Sequence, residues 1–120
     1  ILLVEDEDMV RAVAERALVR AGYSVVTANN GEHGLERLAD LTEVDLVITD
    51  VMMPQMDGPT MVKEVRRTRA DVPVLFMSGY AEEQLRGSIA LANVAFLPKP
   101  FSVAQLIDAV AAIRGQGDQG

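Results

Sequence analysis

The sequence contains no cysteine and no tryptophan, and only 4% of its residues are aromatic. The absence of cysteine excludes disulfides, thiolate metal sites and cysteine catalysis, and it favours a reducing compartment such as the cytoplasm. No uninterrupted apolar run approaches the roughly 20 residues that would span a bilayer. Basic residues are outnumbered, 11 against 18 acidic ones, giving a net charge of −7. Direct binding to nucleic acid or to an anionic membrane surface is therefore not expected.

What is present fits one globular domain. The 120 residues are 49% hydrophobic and 24% charged, which suits a single hydrophobic core. An apolar run begins directly at Ile1 without an initiator methionine, so we interpret the chain as an excerpt of a longer protein. Residues 1–114 are predicted to form the domain, and the polar, glycine-rich residues 115–120 a flexible tail or linker.

Five short apolar runs predict buried β-strands, at residues 1–4, 24–27, 46–49, 74–77 and 94–97. Continuous apolar runs are typical of strands that are covered on both faces. Segments with helical spacing separate them, and this alternation predicts a doubly wound α/β fold with a parallel sheet.

Four of the helices carry terminal signals. These are Gly22 after the first helix, Asn30 before the second, Asp57 before the third, and a Ser102–Gln105 capping box before the last. The segment 81–92 is interrupted by Gly87, so we expect a short or mobile helix there. Val13 and Val103 are predicted to be buried, and the basic end of the third helix, with Arg66 and Arg69, is interpreted as a solvated face.

Polar side chains follow four of the predicted strands. Glu5 and Asp6 come directly after the first strand, Asp50 after the third, Ser78 after the fourth and Lys99 just after the fifth. Ligand sites of open parallel sheets form at the carboxyl ends of the strands. If the first and third strands are neighbours, three carboxylates converge there.

Three such anions repel one another by several kcal/mol in total unless a cation lies among them. Mg²⁺ is the cation that binds through one or two carboxylates together with water and substrate phosphate. A carboxylate nucleophile, Mg²⁺, a lysine and a hydroxyl are the parts needed to carry a phosphoryl group as an acyl phosphate. Each residue alone also fits a helix cap, a turn or a solvated side chain, and it is their coincidence that favours phosphoryl chemistry.

Four motifs resemble the response-regulator receiver (CheY-like) family of two-component signalling, and together they span nearly the whole chain. They are Leu-Val-Glu-Asp-Glu at 3–7, Asp-Val-Met-Met-Pro-Gln-Met-Asp-Gly at 50–58, Met-Ser-Gly-Tyr at 77–80 and Leu-Pro-Lys-Pro-Phe at 97–101. The resemblance implies a (βα)₅ three-layer sandwich with strand order 2-1-3-4-5. It also implies a domain that catalyses its own phosphorylation and dephosphorylation and is not itself a turnover enzyme.

Residue by residue, the resemblance implies Asp50 as phosphoacceptor, and Asp6, Asp50 and the Met52 backbone carbonyl as Mg²⁺ ligands with Glu5 as an outer acid. Ser78 and Lys99 would contact the phosphoryl group.

The resemblance also implies that Phe96 acts with Ser78 as a switch and that the Lys99–Pro100 peptide is cis. Met52 and Tyr80 would flank the path of the hydrolytic water. Since Met52 cannot orient a water by hydrogen bonding, we expect slow self-dephosphorylation, with a phosphoaspartate lifetime longer than seconds.

The residues in and around the first, third and fourth motifs are similar to those of receivers at the C-terminus of hybrid histidine kinases. That similarity implies relay with a histidine kinase catalytic or dimerisation domain, a histidine phosphotransferase, or both, by a cytoplasmic domain of an inner-membrane-anchored parent. A standalone single-domain response regulator is the alternative.

Other classes share some of these features. A haloacid-dehalogenase-like phosphatase also uses an aspartyl nucleophile, but it needs a second aspartate where this chain has Met52. A flavodoxin-like FMN binder shares the topology, but Glu5 and Asp6 would repel the cofactor's phosphate. A degenerate receiver that only binds partners is disfavoured by the intact acceptor set.

The first helix carries a second stripe, formed by Met9, Ala12, Arg16 and Val19, on the side away from its predicted core face. One hypothesis is that this stripe docks a helix of the partner. The alternative is a scatter of surface apolar residues, which is common in soluble proteins.

Overall fold

The computed structural model describes residues 1–79 and 93–118, with side chains described as far as residue 114. The predicted helix at 81–92 and Tyr80 lie outside the described residues. The described elements are β1 (Leu2–Val4), α1 (Asp8–Arg20), β2 (Val26–Ala28), α2 (Gly31–Ala39), β3 (Val47–Asp50), α3 (Gly58–Val65), β4 (Val74–Ser78), β5 (Val94–Pro98) and α4 (Val103–Asp118). Within this part of the chain, no helix is long and apolar enough to cross a bilayer.

The five strands form one parallel sheet in the order β2-β1-β3-β4-β5, which confirms the predicted topology. β1 therefore lies between β2 and β3, and the chain reverses its direction across the sheet at this point. In register, Leu3 lies beside Thr27 on one side and Ile48 on the other. The carboxyl ends of β1 and β3 are thus neighbours at the switch point, where open sheets bind ligands, and this fold is itself one of the standard examples of that rule.

Two apolar clusters cover the two faces of the sheet. Strand side chains alternate between them, because successive side chains point to opposite faces. On one face Val4 and Phe76 pack with Met61 of α3, and on the other Leu3 and Leu75 join the residues of α1 and α4. The sheet is buried on both sides, as the continuous apolar runs predicted.

The helix starts are set by the predicted caps. The Asn30 side chain accepts from the backbone N–H of His33 at 2.8 Å, and that of Asp57 accepts from Thr60 at 2.8 Å. Ser102 and Gln105 bond each other's backbone N–H groups reciprocally, at 3.1 and 2.8 Å, as a capping box should. Gly22 follows α1 with φ of +100°, a conformation that favours glycine.

Two predictions of buried side chains were wrong. Val13 and Val103 are half exposed instead of buried, because both line an open cleft between α1 and the start of α4. Helix α4 continues to Asp118, four residues into the stretch predicted as a tail. Glycines cost a helix only about 1 kcal/mol each, so the last turns can continue through them. Whether the remaining residues serve as a linker stays a prediction.

The basic segment that follows α3, predicted as the solvated end of that helix, is also not simply solvated. The Arg69 guanidinium donates to the backbone carbonyls of Leu38 and Leu41, at 3.2 and 2.5 Å, at the end of α2. Arg66 donates to the carbonyls of Val72 and Asn93, at 2.9 and 3.1 Å. These arginines bond to the loops at the amino ends of the strands, which is the end of the sheet opposite the carboxylates. Helical periodicity does not predict such tertiary contacts.

Candidate functional site

The carboxylates of Glu5, Asp6 and Asp50 converge at the carboxyl ends of β1 and β3. Each offers an oxygen that lies within 4.8 Å of the oxygens of the other two. Glu5 is fully buried, Asp50 is 8% exposed, and Asp6 is partly exposed. Parallel pairing of β1 with β3 brings the three acids together, as predicted from their places after the strands.

Lys99 joins two of these acids. Its Nζ lies 2.8 Å from Asp50 Oδ2 and 3.1 and 3.3 Å from the two carboxylate oxygens of Glu5. The Lys99 backbone N–H donates to the carbonyl of Ser78 at 2.7 Å, and the Lys99–Pro100 peptide bond is cis. The ammonium is thus held at the same edge of the sheet as the acids.

Burial and mutual charge change the ionisation of this cluster. Burial, and then the charge of Asp50, raise the pKa of Glu5 from 4.5 to about 7, although Lys99 and the Glu7 N–H oppose the shift. Burial lowers the pKa of Lys99, but the hydrogen bond and charge of Asp50, followed by Glu5, outweigh it and the net direction is upward. The Lys99 ammonium therefore does not fully offset the burial of Glu5 and its repulsion by Asp50.

The other predicted residues are distributed around this cluster. Ser78 is buried at the end of β4, next to the Lys99 backbone. Phe96 is half buried in β5 and stacks on Phe76 with ring centroids 5.8 Å apart. Met52, two residues beyond Asp50, has a side chain that is 59% exposed. The predicted water-path partner Tyr80 lies outside the described residues.

Two residues near the site were missed by sequence reasoning. A Cβ on Gly58, the last residue of the Asp50 motif, would overlap the backbone carbonyl of Asp50, so that position has no room for a side chain. The Arg11 guanidinium donates to the Glu5 carbonyl at 2.9 Å. The pairing of Arg11 with Asp8 could be read from the sequence, because acid and base three apart on a helix are neighbours, but it does not indicate the bond to the Glu5 carbonyl.

The sequence matches the response regulator receiver domain family over residues 1–111. The chain belongs to this receiver family. Among curated relatives it is 49% identical over 112 residues to the sensor kinase CckA of Brucella abortus, covering 92% of this chain and 12% of CckA. It is 34% identical over 115 residues to the Bacillus subtilis regulator PhoP, covering 94% of this chain and 47% of PhoP. The receiver domain therefore spans less than half the length of either relative.

Solved structures of receiver domains have the same fold as this chain. The chain superimposes on the receiver domain of the hybrid histidine kinase CckA with a TM-score of 0.80 and 41% identity, covering 93% of this chain and 95% of that one. The chemotaxis protein CheY4 of Vibrio cholerae gives a TM-score of 0.83 at 28% identity, again with 93% and 95% coverage. The predicted family, fold and likeness to a hybrid-kinase receiver are confirmed, and the dehalogenase and flavodoxin alternatives gain no support from these matches.

Proposed function

We propose that this receiver domain accepts a phosphoryl group on Asp50 from a partner's phosphohistidine and relays or signals it within a two-component phosphorelay. The observation that carries the proposal is the buried cluster in which Lys99 contacts both Asp50 and Glu5 while Asp6 completes the acidic set. A carboxylate nucleophile beside an ammonium and further oxygen ligands is suited to phosphoryl transfer.

The transfer step is a displacement at phosphorus. A carboxylate oxygen of Asp50 forms the new bond to phosphorus while the phosphorus–nitrogen bond breaks, and the electron pair of that bond stays with the imidazole of the donor. Lys99, already 2.8 Å from Asp50, would donate to the transferred group, and the Ser78 hydroxyl would bind another of its oxygens. No proton has to leave Asp50 when it attacks as the carboxylate.

The donor set fits Mg²⁺. Its protein ligands would be Asp6, Asp50 and the backbone carbonyl of Met52, with buried Glu5 as the outer acid, and all of these are hard oxygen donors. When bound, Mg²⁺ would offset the repulsion between these carboxylates and the phosphoryl oxygens. The convergence of three carboxylate oxygens within 4.8 Å of one another is the structural observation that supports a cation here. Burial, and then the charge of Asp50, raise the pKa of Glu5, which agrees with it.

Signalling after transfer would use the residues beside Lys99. Drawing Ser78 toward the new phosphoryl group would free space for Phe96 to change its stacking on Phe76. The thioether of Met52 cannot hold an attacking water by strong hydrogen bonds, which supports slow hydrolysis and a relay role.

The test is phosphoryl uptake from acetyl phosphate, with and without Mg²⁺, followed by intact-protein mass measurement and mapping of the modified peptide. We expect one phosphoryl group on the peptide that contains Asp50, only with Mg²⁺. Modification at another residue, or uptake that does not depend on Mg²⁺, would contradict the proposal.

We further propose that the parent protein is a hybrid histidine kinase anchored in the inner membrane, with this domain in the cytoplasm. The likeness to CckA supports this, and the partner would be a kinase dimerisation domain or a histidine phosphotransferase. Such donors would present a helix that carries the phosphohistidine.

The docking surface for that helix would be the stripe Met9, Ala12, Arg16 and Val19. All four side chains are exposed, Met9 by 82% and Val19 by 54%. An apolar cleft of about 440 Å³ continues from Met9 to Phe101 and reaches Lys99, so the stripe leads to the proposed phosphoryl site. Arg16 would favour a partner helix with an acid beside its apolar residues.

The double variant Met9→Glu, Val19→Glu is expected to slow phosphoryl transfer from a phosphorylated partner by about tenfold or more, because two apolar anchors become charged. Uptake from acetyl phosphate should not change. Ala39→Glu, on an exposed position of α2 at the other face of the sheet, is the control and should transfer normally. Equal partner-transfer rates in wild type and double variant would exclude docking at this stripe.

A further inference from the structure

The turn between β1 and α1 carries two of the three acids, and its backbone is held by a small set of hydrogen bonds. The Glu5 N–H donates to the Ala28 carbonyl at 3.1 Å, which keeps the turn attached to β2. The Glu7 N–H donates to Glu5 Oε1 at 3.2 Å. Asp6 lies between these anchored residues, so the direction of its carboxylate depends on how firmly the peptide planes around it are held.

Arg11 supplies a further anchor to this turn. One guanidinium nitrogen donates to the Glu5 backbone carbonyl at 2.9 Å, and another donates to Asp8 Oδ1 at 2.6 Å. The Arg11 side chain is only 22% exposed, whereas that of Asp8 is 86% exposed. The buried end of this arrangement is therefore the contact with the Glu5 carbonyl, which belongs to the peptide group linking Glu5 to Asp6.

We propose that Arg11 is a positioning residue for the metal site, which it serves by fixing the Glu5–Asp6 peptide and hence the carboxylate of Asp6. The inference rests on the proposed function, because it assigns Arg11 a role in Mg²⁺ binding at that site. Groups that orient metal ligands from outside the coordination sphere commonly affect metal affinity by tenfold or more. Arg11 acts through the backbone and does not contact the acceptor.

The sign of the effect separates positioning from simple electrostatics. Arg11 is a cation bonded to the turn that carries Glu5 and Asp6, and a nearby cation repels Mg²⁺. If charge alone mattered, loss of Arg11 would therefore tighten Mg²⁺ binding. If Arg11 positions Asp6, its loss weakens Mg²⁺ binding, since the freed carbonyl can turn to water and the turn loses its anchor. The two explanations thus predict opposite changes in one measured quantity.

The experiment is a Mg²⁺ titration of the domain followed by backbone amide chemical shifts. For Arg11→Gln we expect the dissociation constant to rise about tenfold. Arg11→Lys keeps the charge but loses the two-pronged donor, so its affinity should fall between those of Arg11→Gln and wild type.

Two matched variants serve as controls. Asp8→Asn removes the exposed ion pair but leaves the bond from Arg11 to the Glu5 carbonyl. Arg67→Gln removes a similar exposed pair, at 3.4 Å, between Arg67 just after α3 and Glu64 on it. Both should bind Mg²⁺ like wild type. Unchanged or tighter binding by Arg11→Gln beside a wild type that binds normally would overturn the role of Arg11 alone. A wild type that binds no Mg²⁺ would overturn the metal site, and the role of Arg11 with it.

Discussion

Asp50→Asn is expected to take up no phosphoryl group and at the same time to unfold less readily than wild type. The amide oxygen is a poor nucleophile, so phosphoryl uptake should fall below detection under conditions that label wild type fully. Without divalent cations, we expect the free energy of unfolding to rise by about 1–3 kcal/mol, because one of three clustered charges is removed at an effective dielectric constant of about 20.

The free energy of unfolding can rise in Asp50→Asn because position 50 keeps its contact with Lys99. The Asn oxygen can still accept from Lys99, and Lys99 keeps both oxygens of Glu5. Asp50 is also the charge that, after burial, raises the pKa of Glu5, so its removal lets Glu5 ionise at less cost. Urea denaturation with and without Mg²⁺ checks the prediction, and Mg²⁺ should stabilise wild type more than the variant.

Asp108→Asn provides the matched control, because Asp108 is an exposed aspartate on α4. Its stability should lie within about 0.5 kcal/mol of wild type. A loss of stability in Asp50→Asn would show that the contact between Lys99 and the carboxylate outweighs the repulsion among the acids.

The Lys99→Gln variant should lose both stability and reactivity. Removing the ammonium leaves Glu5 and Asp50 buried beside each other without their shared counter-ion. Breaking a buried pair in this way costs about 3–5 kcal/mol in dry sites. Since Lys99 is itself 21% exposed, we expect the free energy of unfolding to fall by about 2–3 kcal/mol in the absence of Mg²⁺. Uptake from acetyl phosphate should slow by about a hundredfold, because a charged donor to the transferred group is lost.

The stability loss should depend on pH with a definite sign. The pKa of Glu5 is raised from 4.5 to about 7 in the folded protein, so between these values the folded state binds more protons than the unfolded state. The contribution of Glu5 to the free energy of unfolding is therefore fully present below pH 4.5 and is lost as the pH rises through about 7. Without Lys99 the pKa of Glu5 should rise further, and the difference between Lys99→Gln and wild type should shrink as the pH falls.

Denaturation across this pH range, with Lys63→Gln as the control, provides the measurement. Lys63 is exposed on α3, and its loss should be nearly neutral at every pH. A destabilisation of Lys99→Gln that stayed constant with pH would mean that the ionisation of Glu5 is not linked to Lys99.

Much of the fold could be predicted because its signals are local. The apolar runs and the caps act within a few residues. The structure shows Asn30, Asp57 and the capping pair of the last helix at their predicted places, and each strand begins and ends within two residues of its apolar run. The failures concern side chains whose surroundings come from distant segments. Val13 lines an open cleft instead of the core, and Arg69 bonds to the end of α2, neither of which helical periodicity predicts.

In the candidate site, too, local features could be predicted from the sequence and contacts between distant segments could not. The sequence shows directly that acids and a lysine follow the strands, namely Glu5, Asp6, Asp50 and Lys99. The family motifs added an expected role for each of them. Arg11 was missed, since its bond to the Glu5 carbonyl depends on the path of a turn and not on residue type.

The sequence by itself determined which residues end the strands, where the helices begin, and that oxygen acids, a hydroxyl and an amine stand at the strand ends. Only the tertiary structure decided that Lys99 and Glu5, 94 positions apart, lie 3.1 Å from each other, and that one ammonium is shared by two buried acids. The physical reason is that parallel strands pair through long crossovers, so their neighbours are chosen by packing of the whole sheet and not by any local pattern.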